Sequence, residues 1–313
     1  MAFFSIIISV YNKEKYIKST INSVLNQSYK DFEIIIINDG STDDSVKIIE
    51  SLEDKRIKLI TTINQGASIA RNTGIKKASS KFIALLDGDD TWEKSYLQDM
   101  YDAISIFPEI KIFTTGISQK YDNKIIPVKY SFKQLDLYGK HNYFEASKKY
   151  TLITSSSVVF NKSIIEQTGY FDPLIISGQD TDLWIRFGLY FDILFINRQL
   201  AYYNYYPSSL SNTTFDLSKK LKFDKYHNEE KENKELKAFL DRNRYSMAIL
   251  SKIQNDKKHF NYYTSHLDTN NLNFKQNFLL KSPKWLLQLL LKIIALKGEK
   301  VYYPSTKKLK TAG

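Results

Sequence analysis

The stretch "KFIALLDGDD" at residues 81–90 joins an apolar run to a cluster of carboxylates. A short apolar run bounded by polar residues is typical of a buried strand. Asp87, Asp89 and Asp90 follow the run, with Gly88 between the first two. Carboxylates this close repel one another unless a cation, such as a divalent metal ion, neutralises them. The stretch therefore predicts a cation-binding turn at the end of a buried strand, although a solvated Asp-Gly turn is the simpler alternative.

Three further strands are predicted upstream, with helical segments between them. They are "FFSIIISVY" (3–11), "EIIIIN" (33–38) and "RIKLITT" (56–62), and "GASIARNTGIKKA" (66–78) is helical. Continuously apolar strands are typical of a parallel sheet covered on both faces, and crossovers of this length join parallel neighbours. In such a sheet, ligands bind beyond the carboxyl ends of the strands. Residues 1–92 are thus predicted to form a parallel α/β half that binds a ligand at this edge.

The alternation of strands and helices loosens after residue 93. The predicted elements there are a helix at 93–107, strands at 110–117 and 154–161, a helix at 180–191 and a strand at 193–206. This pattern is typical of an α+β region that follows the α/β half. We expect one domain over residues 1–218, with residues 93–218 as its second half.

Composition divides the chain at about the same place. Residues 1–218 hold 24 lysines and arginines against 25 aspartates and glutamates, whereas residues 219–313 hold 21 against 9. The net charge of +11 therefore lies in the last third, and no nucleic-acid partner is predicted. The chain has no cysteine, which excludes disulfides and thiolate chemistry. The opening "MAFFSIIISVYN" lacks a basic n-region and a cleavage site, so we interpret it as the first strand rather than a signal peptide.

Residues 219–313 are predicted to be a basic helical extension. Its segment "KSPKWLLQLLLKIIALKGEK" (281–300) is apolar but too short to span a bilayer, which needs about 20 apolar residues. Lys284, Gln288 and Lys292 fall four apart and predict a narrow polar stripe; further lysines lie at 281, 297 and 300, and Trp285 lies near one end. This pattern is typical of a helix lying on an anionic membrane surface. Packing on the core or in a dimer contact is the alternative.

The other strand ends favour a nucleotide as the ligand. Tyr11 offers a ring on which a base can stack, and Asp39 offers an acceptor for a base N–H. Arg71, in the helical segment 66–78, offers a cation for a diphosphate or a base edge. Each residue type alone is more often structural, so their joint placement carries the interpretation. The dinucleotide pattern G-x-G-x-x-G is absent after the first strand, and so is a Walker A loop. An EF-hand loop starting at Asp87 fails as well, because Trp92 stands where glycine is needed.

Residues 4–91 and 154–190 resemble the family 2 glycosyltransferases of the GT-A fold. The resemblance implies a mostly parallel central sheet flanked by helices, and a C-terminal helical extension lies beyond it. It implies an inverting enzyme that moves a sugar from a nucleotide-diphosphate donor, with a UDP-sugar favoured, to a hydroxyl of a glycan or lipid-linked acceptor.

Site residues follow from the resemblance position by position. Tyr11 matches the family's base-stacking aromatic residue, Asp39 the carboxylate that reads the base, and Arg71 an arginine near the nucleotide. Asp87 and Asp89 match the outer positions of the D-x-D motif. The resemblance implies that Asp89 binds Mn²⁺ or Mg²⁺ directly and that Asp87 contacts the ribose or the metal's waters.

The stretch "SGQDTDLWIRF" (177–187) matches the family's catalytic segment. Asp180 corresponds to the catalytic base, while Gln179 replaces the usual glutamate and can only hydrogen-bond an acceptor. Asp182 is a second candidate for the base, and Asp90 is assigned to the surroundings of the metal. Asp180 also suits a helix cap, which is the structural alternative. Asn204 stands near a position where many relatives have a histidine, so a late histidine contact to the metal is not expected.

The expected setting is the synthesis of a bacterial surface polysaccharide. The basic extension predicts a cytoplasmic enzyme held peripherally on the cytoplasmic face of the membrane. Two other functions stay open: a non-catalytic nucleotide-sugar-binding protein, because of Gln179, and a sugar-phosphate nucleotidyltransferase, although the glycine-rich basic loop of that class is missing.

Overall fold

The computed structural model describes residues 2–121, 124–204 and 216–296. The chain divides into two compact units, Met1–Tyr205 and Tyr206–Gly313. The composition change at residues 218–219 falls inside the second unit. The end of the predicted strand 193–206, the segment 205–215 and the lysines at 297 and 300 lie outside the described residues.

The described residues of the first unit form ten strands in one sheet. They are β1 (Phe4–Val10), β2 (Phe32–Asp39), β3 (Ile57–Thr62), β4 (Phe82–Asp87), β5 (Thr91–Trp92), β6 (Ile112–Tyr121), β7 (Lys124–Pro127), β8 (Tyr138–His141), β9 (Val158–Asn161) and β10 (Ile193–Asn204). Its α-helices are α1 (Ile17–Leu25), α2 (Ser45–Glu50), α3 (Ala67–Lys77), α4 (Tyr96–Ile106), α5 (Tyr143–Ala146), α6 (Ile165–Thr168) and α7 (Gln179–Tyr190). A 3-10 turn at Lys162–Ile164 precedes α6.

The sheet is mixed, with a parallel block that the sequence predicted. Its strand order is β3-β2-β1-β4-β9-β6-β10-β5, with β7 beside β6 and β8 beside β10. Strands β3, β2, β1 and β4 run parallel, and so do β6 and β10, whereas β9 runs antiparallel between β4 and β6. The predicted α/β architecture with a mostly parallel central sheet is confirmed.

Strand register brings three loops to one edge of the sheet. In β1, Ser9 is level with Asp87 of β4, and Val10 is level with Asn38 of β2. Tyr11, Asp39 and the acidic turn after Asp87 therefore meet at neighbouring strand ends. Strands β1, β2 and β4 are almost completely buried, because helices cover both faces of the parallel block.

The outer strands depart from the sequence prediction in detail. Strand β6 extends to Tyr121, whereas β9 is short and begins only at Val158. The residues before β9 form a turn instead of a strand, since the Thr154 N–H donates to Ser157 Oγ at 3.1 Å and the Ser157 N–H donates to the Thr154 carbonyl at 3.1 Å. The short strands β5, β7 and β8 were not predicted, because each has only two to four residues.

The second unit is helical in its described part. Its α-helices are α8 (Glu229–Glu232), α9 (Lys234–Gln254), α10 (Lys257–Ser265), α11 (Phe274–Lys281) and α12 (Lys284–Leu296), and 3-10 turns lie at Leu217–Lys219, Asp224–Tyr226 and Thr269–Asn271. A small core joins α9, α10, α11 and α12 around Tyr245, Tyr263, Leu280 and Leu287. None of the helices within the described ranges has the length and hydropathy needed to cross a bilayer.

Helix α12 leaves apolar residues exposed beside its polar stripe. Leu287 is buried in the core of the second unit, and Lys284 and Gln288 are only half-exposed. Lys292 is exposed, and so are three apolar residues beside the stripe: Trp285, which is 65% exposed, Leu289 and Ile293. The contact of this helix with the core is narrow and centres on Leu287, which leaves an apolar line facing solvent.

Candidate active site

The turn after β4 is built around Gly88. The Asp90 N–H donates to the Asp87 carbonyl at 3.0 Å, which closes the turn. A Cβ added at Gly88 would lie 3.0 Å from the Ser9 carbonyl oxygen and 3.4 Å from Lys13 Cγ. The absence of a side chain at this position therefore lets the acidic turn lie directly against the end of β1.

Arg71 links two carboxylates that the sequence assigned to different roles. Its Nη2 donates to Asp87 Oδ1 at 2.6 Å, and its Nη1 donates to Asp180 Oδ1 at 3.0 Å. The guanidinium is buried and lies over the ring of Phe171, 5.3 Å from its centroid. One arginine on α3 thus brings the acidic turn and the first turn of α7 together.

A second cation, which the sequence analysis missed, occupies the acidic turn. The Lys13 ammonium donates to Asp89 Oδ2 in a short, partly buried ion pair. The Lys13 backbone N–H donates to Ser45 Oγ at 2.8 Å, which fixes the start of this loop beside α2. The sequence did contain a signal for this contact. A lysine two residues after the aromatic residue at the end of one strand can reach the end of the neighbouring parallel strand.

Asp90 points away from the two cations and is completely buried. Its Oδ2 accepts from Ser156 Oγ in a short hydrogen bond, and its Oδ1 accepts from the Asn204 N–H at 3.0 Å. The Asn204 side-chain amide donates to the Asp89 carbonyl at 2.6 Å. Asn204 and Ser156 therefore hold the acidic turn from behind.

Electrostatics distinguish three aspartates of the site. Burial raises the pKa of Asp89, and Asp87 adds to the rise, while the Lys13 ammonium opposes it. Burial also raises the pKa of Asp90 well above its usual range, with Asp89 and Asp87 contributing. For Asp180, burial raises the pKa and Arg71 counteracts it. Asp87 and Asp89 thus add to the rise in the pKa of their neighbours, and an added cation at the turn would counteract that rise.

The predicted base-binding residues lie at neighbouring strand ends. Tyr11 is 45% exposed, so a ligand can reach this residue. Asp39 is buried, and its two carboxylate oxygens accept the backbone N–H groups of Gln65 and Gly66, each at 2.8 Å. Gly66, with φ +90°, precedes α3 in a conformation that favours glycine. Asp39 therefore holds the loop that leads into the helix of Arg71.

The segment predicted to be catalytic (177–187) leads into α7. Asp180 is 37% exposed in the first turn of this helix, and Gln179 beside it is half-buried. Asp182 is fully buried and accepts from Arg186 Nη2 at 2.9 Å and Nε at 3.2 Å. Arg186 also donates to the Thr168 and Tyr170 carbonyls, so this ion pair supports the turn before the segment. The structure brings Asp180 to the acidic turn but does not bring Asp182 there.

The side chains at the acidic turn suit a hard divalent cation, although the protein supplies few ligands. Asp87 and Asp89 offer carboxylate oxygens, which are the ligands that Mg²⁺ and Mn²⁺ prefer. Within residues 2–121, 124–204 and 216–296, no three histidine, aspartate or glutamate side chains converge as a metal-binding group. A cation at this turn would therefore need water or substrate phosphate oxygens to complete its shell.

The fold is that of the GT-A glycosyltransferases, as predicted. A crystal structure of Staphylococcus aureus TarS (residues 1–349) has a TM-score of 0.59 and 20% identity, covering 95% of this chain and 79% of that one. A structure of the same TarS segment with UDP-GlcNAc has a TM-score of 0.58 and 18% identity, covering 88% of this chain and 91% of that one.

The chain belongs to glycosyl transferase family 2, whose profile matches residues 5–169, more than half of its length. It is 34% identical over 200 residues to the minor teichoic acid biosynthesis protein GgaA of Bacillus subtilis, covering 55% of this chain and 43% of that protein. It is 44% identical over 98 residues to the putative glycosyltransferase EpsH of B. subtilis, covering 31% of this chain and 28% of that protein. The chain thus spans less than half the length of these relatives.

Proposed function

We propose that this chain is an inverting glycosyltransferase that moves a sugar from a UDP-sugar to a hydroxyl group. The observation that carries the proposal is the placement of Asp87 and Asp180 on one arginine. Transfer requires a binding site for the donor diphosphate next to a base for the acceptor, and Arg71 joins the two candidates. The UDP-GlcNAc complex of TarS supports uracil as the base of the donor.

Asp180 is the residue best placed to act as the base. Its carboxylate is accessible, lies in the first turn of α7 and is held by Arg71 at 3.0 Å. It would accept the proton of an acceptor hydroxyl as that oxygen bonds to the anomeric carbon, while the bond from that carbon to the donor diphosphate breaks. Asp182 is a weaker candidate, because it is fully buried against Arg186.

The remaining residues would bind and orient the donor. The Tyr11 ring would support the base, with Asp39 at the neighbouring strand end, and Arg71 would lie near the diphosphate. Asp89, with Asp87, would hold Mg²⁺ or Mn²⁺. When bound, that ion would stabilise the negative charge of the leaving diphosphate.

The decisive experiment compares Asp180→Asn with Asp192→Asn. The second variant is the control, because Asp192 is an exposed aspartate that pairs with Lys140 at the surface. We expect Asp180→Asn to bind UDP like the unchanged protein and to lose about 10²–10⁴-fold in transfer rate. Undiminished transfer by Asp180→Asn would refute the assignment.

A non-catalytic nucleotide-sugar-binding protein is the second candidate, favoured by Gln179. Gln179 cannot carry a charge, so the site has one acidic group fewer than the family pattern provides. Product formation from UDP-sugars separates the two candidates, whereas donor binding alone does not. Competition of UDP, GDP and ADP for the site tests the choice of base in the same series.

For the acceptor, we infer a glycan or lipid-linked saccharide of a bacterial surface polysaccharide, met at the cytoplasmic face of the membrane. The apolar face of α12 supports this location, since Trp285, Leu289 and Ile293 are exposed on a helix that also carries Lys284 and Lys292. Apolar residues flanked by lysines favour a surface of anionic lipids.

Vesicle flotation tests the membrane contact. The variant Trp285→Ser/Leu289→Ser should lose binding to vesicles that contain phosphatidylglycerol, and neutral vesicles should bind the unchanged protein weakly. The control is Ile106→Ser, which removes an exposed apolar residue from the first unit. Equal binding by the double variant and the control would exclude this face as the membrane contact.

A further inference from the structure

Lys13 differs from Arg71 in how it is held at the acidic turn. Arg71 is 8% exposed, spans two carboxylates and lies over an aromatic ring. Lys13 is 26% exposed, and its ammonium bonds to Asp89, whose side chain is 16% exposed. Its backbone is fixed by Ser45, while its charged end is carried on a flexible four-carbon stem. Lys13 can therefore leave its carboxylate without disturbing the loop, whereas Arg71 cannot.

The position of the Lys13 ammonium is also informative. It contacts Asp89 Oδ2, an oxygen of the carboxylate that the proposed function assigns to a divalent cation. An ammonium and a hard metal ion both bind to a negatively charged carboxylate oxygen, so the two compete for it. Gly88 has no side chain, and a Cβ there would lie 3.4 Å from Lys13 Cγ, so the glycine leaves room for the lysine stem.

We propose that Lys13 is a built-in counter-cation that competes with the divalent cation for Asp89 and so sets the metal affinity of the donor-free protein. The inference rests on the proposed function in one respect, namely that a divalent cation binds at Asp89. It follows that metal binding is weak without donor and is strengthened when UDP is present, because the diphosphate offers oxygens to the metal and a new anionic partner to the ammonium.

The experiment measures Mn²⁺ binding by electron paramagnetic resonance of the free ion, without any turnover. Three proteins are titrated with and without UDP: the unchanged chain, Lys13→Met and Lys47→Met. Lys47→Met is the matched control, because Lys47 also pairs with an aspartate, Asp44, but on an exposed surface. In the unchanged chain the metal must displace the charged hydrogen bond between Lys13 and Asp89. Lys13→Met lacks this bond, so its Mn²⁺ affinity without UDP should be about 10–100-fold higher. The control should change by less than about threefold.

Two further variants identify the carboxylate and the charge as the causes. Adding Asp89→Asn to Lys13→Met should abolish the gain in affinity, whereas Lys13→Arg should stay near the unchanged protein because it keeps the charge. Lys13→Gln serves as the second neutral variant if the circular dichroism of Lys13→Met departs from that of the unchanged chain.

The outcomes separate the inference from the function on which it rests. Should the unchanged chain bind Mn²⁺ together with UDP while Lys13→Met and Lys13→Gln show the same Mn²⁺ affinity as Lys47→Met, the competition is overturned and the proposed function stands. Should none of the proteins bind Mn²⁺, with or without UDP, both the competition and the metal-dependent part of the function are overturned.

Discussion

Replacement of Arg71 by methionine tests the link between the acidic turn and α7. The change removes the cation that Asp87 and Asp180 share and leaves a side chain of similar length. Loss of one partner from a buried ion pair costs about 3–5 kcal/mol. Here the arginine is buried, but the Asp87 and Asp180 side chains are 29% and 37% exposed, so water compensates part of the loss. We therefore expect the free energy of unfolding of the first unit to fall by about 2–4 kcal/mol.

The assay is urea unfolding followed by tryptophan fluorescence and circular dichroism. Trp92 and Trp184 are both buried in the first unit, so their fluorescence reports its unfolding. A double-mutant cycle with Asp180→Asn isolates the pair, because asparagine removes the charge that Arg71→Met leaves unpaired. We expect the double variant to be more stable than the sum of the single changes predicts, by about 1–2 kcal/mol.

The control is Arg56→Met, which removes an arginine paired with Asp54 within one loop. That pair joins residues two apart and is partly solvated, so its loss should cost about 1 kcal/mol or less. The reasoning is refuted if Arg71→Met costs no more than Arg56→Met, or if the effects of Arg71→Met and Asp180→Asn are additive. Either result would mean that the contact between the two halves of the site adds nothing to stability.

Two further predictions concern the sheet. Burial would raise the pKa of Glu33, but hydrogen bonds from Lys58, Ser5 and Ser79 outweigh it and lower this pKa to about 2. The stabilisation of the fold by Glu33 should be complete above the unfolded pKa of about 4.5 and should be lost as pH falls toward 2. Glu33→Gln should therefore weaken the acid dependence of unfolding. Gly74 of α3 faces Ile7, since an added Cβ would lie 2.2 Å from Ile7 Cγ2. Gly74→Ala should lower the free energy of unfolding by about 1–3 kcal/mol in thermal unfolding, although alanine has the higher helix propensity. A more stable variant would contradict this packing.

The parallel strands could be predicted because the signals for them lie within short stretches of the sequence. Continuous apolar runs such as "EIIIIN" (33–38) identify buried strands, and the helices between them set the parallel direction. Parallel strands expose their carboxyl ends at one edge, so Tyr11, Asp39 and Asp87 could be placed together without coordinates. The contacts of the site with later parts of the chain could not be predicted this way. Arg71, for example, bonds to Asp180, which lies 109 residues away in the sequence.

The parts that escaped prediction depend on packing. A turn rather than a strand precedes β9, because the Ser157 hydroxyl offers the Thr154 backbone a local hydrogen bond. Helix α12 has apolar residues around most of its circumference, so its sequence alone does not determine which line of them enters the core. The contact at Leu287 determines it, and that contact depends on α9 and α11.

The contacts of the acidic side chains limit which of them can take a proton from an acceptor. Asp90 is buried between Ser156 and Asn204, and Asp182 is buried against Arg186. Because neither carboxylate can reach a ligand without breaking contacts that support the turns around the site, neither can replace Asp180 when it is substituted. Gln179 cannot replace it either, since an amide does not accept a proton at neutral pH. The residual transfer of Asp180→Asn should therefore come from donor positioning alone and should not increase as pH rises from 6 to 8; an increase would show that another group serves as the base.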